Sequence, residues 1–252
     1  MKVAVVSTPR TCSSMLGHVF AKKFDLIDYS EMFSEMWVKA DPQTKLKMLV
    51  RGDNFSLKIT STSLTTTPNI SLETFPWHIF DYIIVTERLD IAQQAASWLL
   101  LSEAQALGKG EQGLLIEYLR EGMKNPETFP EVNRGQLKSI IETINHFHEQ
   151  VKPFLLTSGL KSVKLVNHEM FQKSREEYVE EFREKTDVYW KIDDLDGEGN
   201  PTYVDYTPYI ESHNIRQIID EIQNAIKGTN ATEEEIRHEY EGPDPTEGQG
   251  IV

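Results

Sequence analysis

The chain has 252 residues, 39% apolar and 10% aromatic, enough for one sizeable core and within the range of a single α/β domain. Its formal charge of −14 excludes a general nucleic-acid or anionic-membrane surface, because either needs a basic face. The single cysteine, Cys12, excludes an internal disulfide and any multi-cysteine metal site. No apolar run approaches the about 18 residues that cross a bilayer, and Val3-Ala4-Val5-Val6 is too short for a secretory leader. A cytoplasmic protein is expected.

Residues 2–7 are apolar and β-branched at nearly every position, the pattern of a strand buried on both faces. A polar turn, Thr8–Ser13, leads into a helix over Ser14–Lys23 with Met15, Leu16, Val19 and Phe20 on one side. A second strand is expected at Phe24–Tyr29, a helix at Ser30–Ala40 and a third strand at Phe55–Thr60. The Ser/Thr-rich stretch Thr60–Thr67 reads as loop. Tyr82–Val85 is a strongly β-prone run, followed by a helix over Asp90–Leu107. Two more helices fit Gln112–Lys124 and Gly135–Thr157, parted by the Pro126/Pro130 loop. Val163–Val166 is the next strand, with a helix at Ser174–Lys185 and a turn at Gly197–Pro201. An amphipathic helix, Ile215–Lys227, is expected to stop at Gly228. Residues 1–228 thus read as one domain, and 229–252 as an acidic, mobile tail. Strands alternating with helices predict a central parallel sheet with helices on both faces.

The sharpest local signal is Ser7-Thr8-Pro9-Arg10-Thr11-Cys12-Ser13-Ser14, set between a buried strand and a helix. A helix start offers open backbone N–H groups and the positive end of the dipole, both suited to phosphate. Thr11, Ser13 and Ser14 add hydroxyls, and Arg10 adds a guanidinium fork. An ordinary strand–helix turn with a Ser or Thr cap would carry similar residues. The loop lacks the Gly-Lys-Ser/Thr ending of a Walker A motif and the spaced glycines of a dinucleotide fingerprint.

This stretch resembles the 5′-phosphosulfate loop of the sulfotransferase family, usually Pro-Lys/Arg-Ser/Thr-Gly-Ser/Thr-Ser/Thr and then an apolar pair. Pro9, Arg10, Thr11, Ser13, Ser14 and Leu16 match, and Cys12 stands where the family has glycine. Further on, Arg88, Asp90, Gln94, Ala95 and Ser97 match Arg-x-Asp-x-x-x-Gln-Ala-x-Ser, which resembles the 3′-phosphate motif of the bacterial and phage-type branch. The resemblance implies a P-loop-like nucleotide-binding fold and a donor, 3′-phosphoadenosine 5′-phosphosulfate, leaving as adenosine 3′,5′-bisphosphate. It places Arg10, Thr11, Cys12, Ser13, Ser14 and Met15 at the 5′ end of that donor, and Arg88 and Ser97 at its 3′-phosphate. Read without the resemblance, Arg88 is a surface arginine before a helix capped by Asp90.

Sulfuryl transfer, like phosphoryl transfer, passes a loose in-line transition state, so positioning and cationic stabilisation carry most of the catalysis and no metal is required. Arg10 is one candidate cation, and Lys58 is a second, in a Lys-x-His-like strand end whose histidine position is Thr60. Tyr29-Ser30-Glu31-Met32-Phe33 resembles the family's Gly-Glu-x-Phe segment, making Glu31 the candidate general base if an apolar surround raises its pKa. His78 is the reserve base; beside Trp77 it also reads as a packed structural residue. Val166-Asn167-His168-Glu169-Met170 loosely resembles the Tyr-Glu-Asp-Leu segment, with Asn167 at the adenine-stacking tyrosine. Val204-Asp205-Tyr206 through His213 resembles the C-terminal segment of bacterial and phage-type members. The resemblance implies an acceptor hydroxyl or amine on an unidentified small molecule or glycan. A non-catalytic module binding the bisphosphate is the alternative, given Cys12 and Thr60. An atypical P-loop kinase would need a loop lysine and a magnesium-binding carboxylate at a strand end, and neither is found.

Overall fold

The computed structural model describes residues 1–33, 41–67, 70–109, 112–160, 162–169, 175–186 and 204–240. Among them five strands, β1 (Lys2–Ser7), β2 (Ile27–Asp28), β3 (Phe55–Thr60), β4 (Tyr82–Glu87) and β5 (Val163–Asn167), form one sheet in the order β2-β3-β1-β4-β5. Every pairing is parallel, so the α/β class holds. β1 lies at the centre because its run of small and β-branched side chains is apolar on both faces, and helices cover both.

The alternation is read off the register. Val3, Val5, Ile84 and Val166 point to one face, where α1 (Ser13–Phe24) lays Leu16, Val19 and Phe20 against them. Ala4, Val6, Leu57, Ile59, Ile83 and Val85 point to the other, beneath Phe147, Val151 and Leu155. A further apolar cluster joins α4 (Ile91–Ala106), α5 (Gln112–Lys124), α6 (Arg134–His146), α9 (Thr207–Ser212) and α10 (Ile215–Tyr240). At roughly 25 cal/mol per Å², burying a Leu- or Ile-sized side chain contributes about 1.5–3 kcal/mol, so these faces fix the register.

Several elements depart from the sequence reading. The second strand shrinks to Ile27–Asp28, and residues 30–33 are not helical; Ser30 takes φ 44°. The rest of the helix expected there lies outside the described residues. An unforeseen helix, α2 (Pro42–Arg51), starts with Asp41 accepting from the Thr44 amide at 3.1 Å and a proline in its first turn. The Ser/Thr run expected as loop is the helix α3 (Ser61–Thr66), because the Thr60 hydroxyl caps it at the Ser63 amide. The long helix expected over Gly135–Thr157 is broken by a π-turn at Phe147–Val151 before α7 (Lys152–Thr157). Pro153 has no N–H to give the preceding turn, which widens instead. Gly228 does not stop α10, which continues to Tyr240; its φ is not left-handed, and Ala231 and Glu233-Glu234-Glu235, good helix formers, lie within the next two turns. The expected mobile tail therefore begins as helix, and 241–252, like the Gly197–Pro201 turn, lie outside the described residues. The remaining helix is α8 (Arg175–Thr186).

Candidate functional site

Ser7 ends β1 directly beside Thr86 of β4. From these adjacent ends the chain goes on to β2 at one edge of the sheet and to β5 at the other, and such a reversal of strand order is where open α/β sheets form a crevice at the carboxyl ends of their strands. The loop after β1 enters that crevice in an unusual backbone shape. Arg10 (φ 69°) and Cys12 (φ 60°) are both left-handed, and alternating hands turn successive N–H groups into one concavity. Cys12 is the N-cap of α1 and its side chain caps nothing, so the amides of the first turn stay open for an anion.

Buried hydroxyls and an amide hold the loop in this shape. Thr11, fully buried, donates to the Thr8 carbonyl at 3.0 Å and shares a 2.8 Å bond with the Thr86 hydroxyl. Gln94 of α4 donates to the Thr8 hydroxyl at 2.6 Å and to the Pro9 carbonyl at 2.7 Å. Thr11, expected to face phosphate, is thus spent bracing the loop. Ser13 is buried, Met15 half-buried and Ser14 exposed. Burial pushes the Cys12 thiol up to about 11 against the opposing pull of Arg10 and Arg88, so it is no nucleophile at neutral pH.

Arg88 and Ser97, each almost fully buried, come to the same place. Arg10 Nε donates to Ser97 Oγ at 2.9 Å, closing the first motif onto the second. Ser97 in turn donates to the Tyr206 hydroxyl at 3.1 Å, and the Tyr206 ring lies 6.0 Å from the Arg88 guanidinium carbon. Arg88 Nη2 reaches Gln93 Oε1 at 3.4 Å. His168 stands in the field of both arginines: burial first, then Arg88 and Arg10, bring it down to about 3, so its ring is neutral. Two carboxylates already occupy the start of α4. Glu169 accepts from the Leu89 and Asp90 amides, and Asp90 caps the Gln93 amide while pairing with Arg216 at 2.8 Å. An incoming anion at this side therefore meets arginine side chains rather than the helix end.

On the other flank of α1, Lys58 of β3 donates to Ser14 Oγ at 2.8 Å and forms an ion pair with Glu31. Lys58 is buried, whereas the Glu31 side chain is 37% exposed. The expected apolar surround of Glu31 is thus an ammonium group instead. Arg10, expected with Lys58 at the sulfonate, reaches Ser97. His78 is left out: it is exposed in a short turn before β4, where the Asp81 amide meets Lys2 at the opposite end of the sheet. Thr60 is occupied capping α3, Asn167 is half-buried at the end of β5, and Met170 lies outside the described residues.

The sequence reading missed Gln93 as an organiser. Its amide donates to Asp205 and Thr207, both at 3.0 Å, and accepts from the Tyr206 amide at 3.1 Å. Thr207, chiefly through its hydroxyl, holds the Asp205 carboxyl below its usual range, which keeps this turn charged and tight. Gln93 stood inside the quoted motif, but no local pattern links it to a turn more than a hundred residues later. Among the described residues no helix is long and apolar enough to cross a membrane. No family model matches the chain, and neither a curated protein nor a solved structure is significantly similar to it.

Proposed function

We propose that the chain is a sulfotransferase that moves a sulfonate from 3′-phosphoadenosine 5′-phosphosulfate to a hydroxyl or amine acceptor. The observation that carries this reading is the 2.9 Å bond from Arg10 to Ser97, which joins the two motifs in one crevice. The sheet order, with β1 between β3 and β4, supports it by setting the two motif loops side by side. The open first turn of α1 suits the 5′-phosphate, and the Arg88 guanidinium, with Ser97 bridging Arg10 and Tyr206 next to it, suits the 3′-phosphate.

In this reading the acceptor oxygen attacks sulfur in line with the bridging oxygen. The new O–S bond forms as the S–O bond to the 5′-phosphate breaks, and the acceptor proton passes to the Glu31 carboxylate. Lys58, hydrogen-bonded to Ser14 at the loop, is placed to meet the charge that grows on the leaving oxygen. Its ion pair keeps the Glu31 carboxylate beside the same loop, where the acceptor oxygen would arrive.

Thermal denaturation with adenosine 3′,5′-bisphosphate tests the reading. At a hundred times its Kd the ligand adds roughly 2.7 kcal/mol, a Tm rise of roughly 5–10 °C for a chain of this length. The rise should vanish in Arg88→Ala and be larger than with magnesium ATP. Glu31→Gln should keep the shift and lose sulfonate turnover. A larger response to magnesium ATP, or none to the bisphosphate, would discard the proposal.

A further inference from the structure

Tyr206 comes to Arg88 and Ser97 from a distant part of the chain, its ring in the apolar cluster of α4, α5, α6, α9 and α10 and its hydroxyl at the end of a line of hydrogen bonds. The residue is buried, and its phenolic oxygen accepts the Ser97 proton. A phenol has one proton of its own to give, and nothing among the described residues accepts it. Ser97, having donated to Tyr206 and accepted from Arg10, has no second proton for a ligand. The hydrogen bonds thus run in one direction, from Arg10 to Ser97 to Tyr206, and end on the hydroxyl of a buried ring that lies under the Arg88 guanidinium. Such a chain polarises toward its free end, where an anion completes it.

We propose that Tyr206 is a direct ligand of the anion bound by Arg88, its hydroxyl donating to that anion, and that the Gln93 amide positions it. The Gln93 side chain hydrogen-bonds to all three residues of the turn, Asp205, Tyr206 and Thr207, and to Arg88 as well. One amide therefore sets the distance between the cation and the phenol. The proposal rests on the reading above, in which that anion is the donor's 3′-phosphate.

The test measures calorimetric affinities of the full chain for adenosine 3′,5′-bisphosphate and for adenosine 5′-monophosphate. Tyr206→Phe keeps the ring against Arg88 and removes only the donor. It should weaken the bisphosphate about tenfold or more and leave the monophosphate nearly unchanged. Gln93→Ala, with the phenol intact but its turn released, should show the same selective loss, and it carries the test if the first variant does not fold. A Tyr206→Phe protein with the wild-type ratio of affinities overturns the proposal, and so does one that loses both nucleotides equally. Wild-type protein that does not distinguish the two nucleotides removes the 3′-phosphate reading itself, which separates the two failures.

Discussion

Cys12 sits at φ 60°, a conformation that glycine takes freely and that costs an L-residue about 1–2 kcal/mol. The sequence marked this position as a departure from glycine; the structure keeps the glycine-like backbone with cysteine in place. The hydrogen bonds of Thr11 and Gln94 to the loop are what over-determine it. Replacing Cys12 by glycine removes the strain but loosens the unfolded chain, an offset of about 0.4–1 kcal/mol. Cys12→Gly should therefore leave the unfolding free energy within about 1 kcal/mol of wild type. Cys12→Val puts a β-branched side chain at the same angle and should lose about 2 kcal/mol or more. Urea denaturation of the two variants checks the pair, and a valine variant as stable as wild type would mean that the loop abandons the left-handed turn.

At the scale of elements, apolar patterning served where burial decides. Helix α5 follows the sequence reading residue for residue, and the apolar runs of β1, β3 and β4 are strands with at most small extensions. It served poorly where hydrogen bonds decide, as in the Thr60 cap that turns a loop into α3. The π-turn at Phe147–Val151 was equally invisible, since its apolar positions read as one long helix. That turn packs on the sheet face opposite α1, where Glu87 ends β4 almost fully buried. Glu87 is ion-paired with Lys152 and lies 3.6 Å from His148. Removing one member of a buried pair leaves the other uncompensated, at a cost of about 3–5 kcal/mol. Glu87→Gln should thus lower Tm by roughly 6–20 °C. Glu87→Gln with Lys152→Met should recover much of that loss. If the double variant is no better than the single one, the ion pair is not what ties β4 to the π-turn.

For the molecule as a whole, alternation predicted a parallel sheet, yet nothing in the chain announced its order, because order is set by which connections cross β1. The same limit governs the site: Arg10, Arg88 and Ser97 were readable as local strings, but the contacts of Gln93 and Tyr206 span the chain. A net charge of −14 surrounds this crevice, so its arginines shape the acid limb of stability through their neighbour His168. Burial, with Arg88 and Arg10, holds that imidazole neutral in the fold down to about 3, whereas the unfolded chain protonates it at its ordinary 6.5. The unfolded state binds the extra proton between those values, so stability is full above pH 6.5 and falls as the pH drops below it. Each pH unit in that window costs up to about 1.4 kcal/mol. His148, also lowered chiefly by burial, adds to the same slope, whereas Asp90 and Asp205, both lowered, act only below about 4. Tm should accordingly drop by roughly 4–8 °C between pH 6.5 and 5, and His168→Gln should flatten most of that drop. Under the proposed function, saturating adenosine 3′,5′-bisphosphate would bring negative charge against Arg88 and Arg10 and raise the folded pKa of His168, so the slope should become shallower. A slope that the nucleotide leaves unchanged would place the bound anion away from these two arginines.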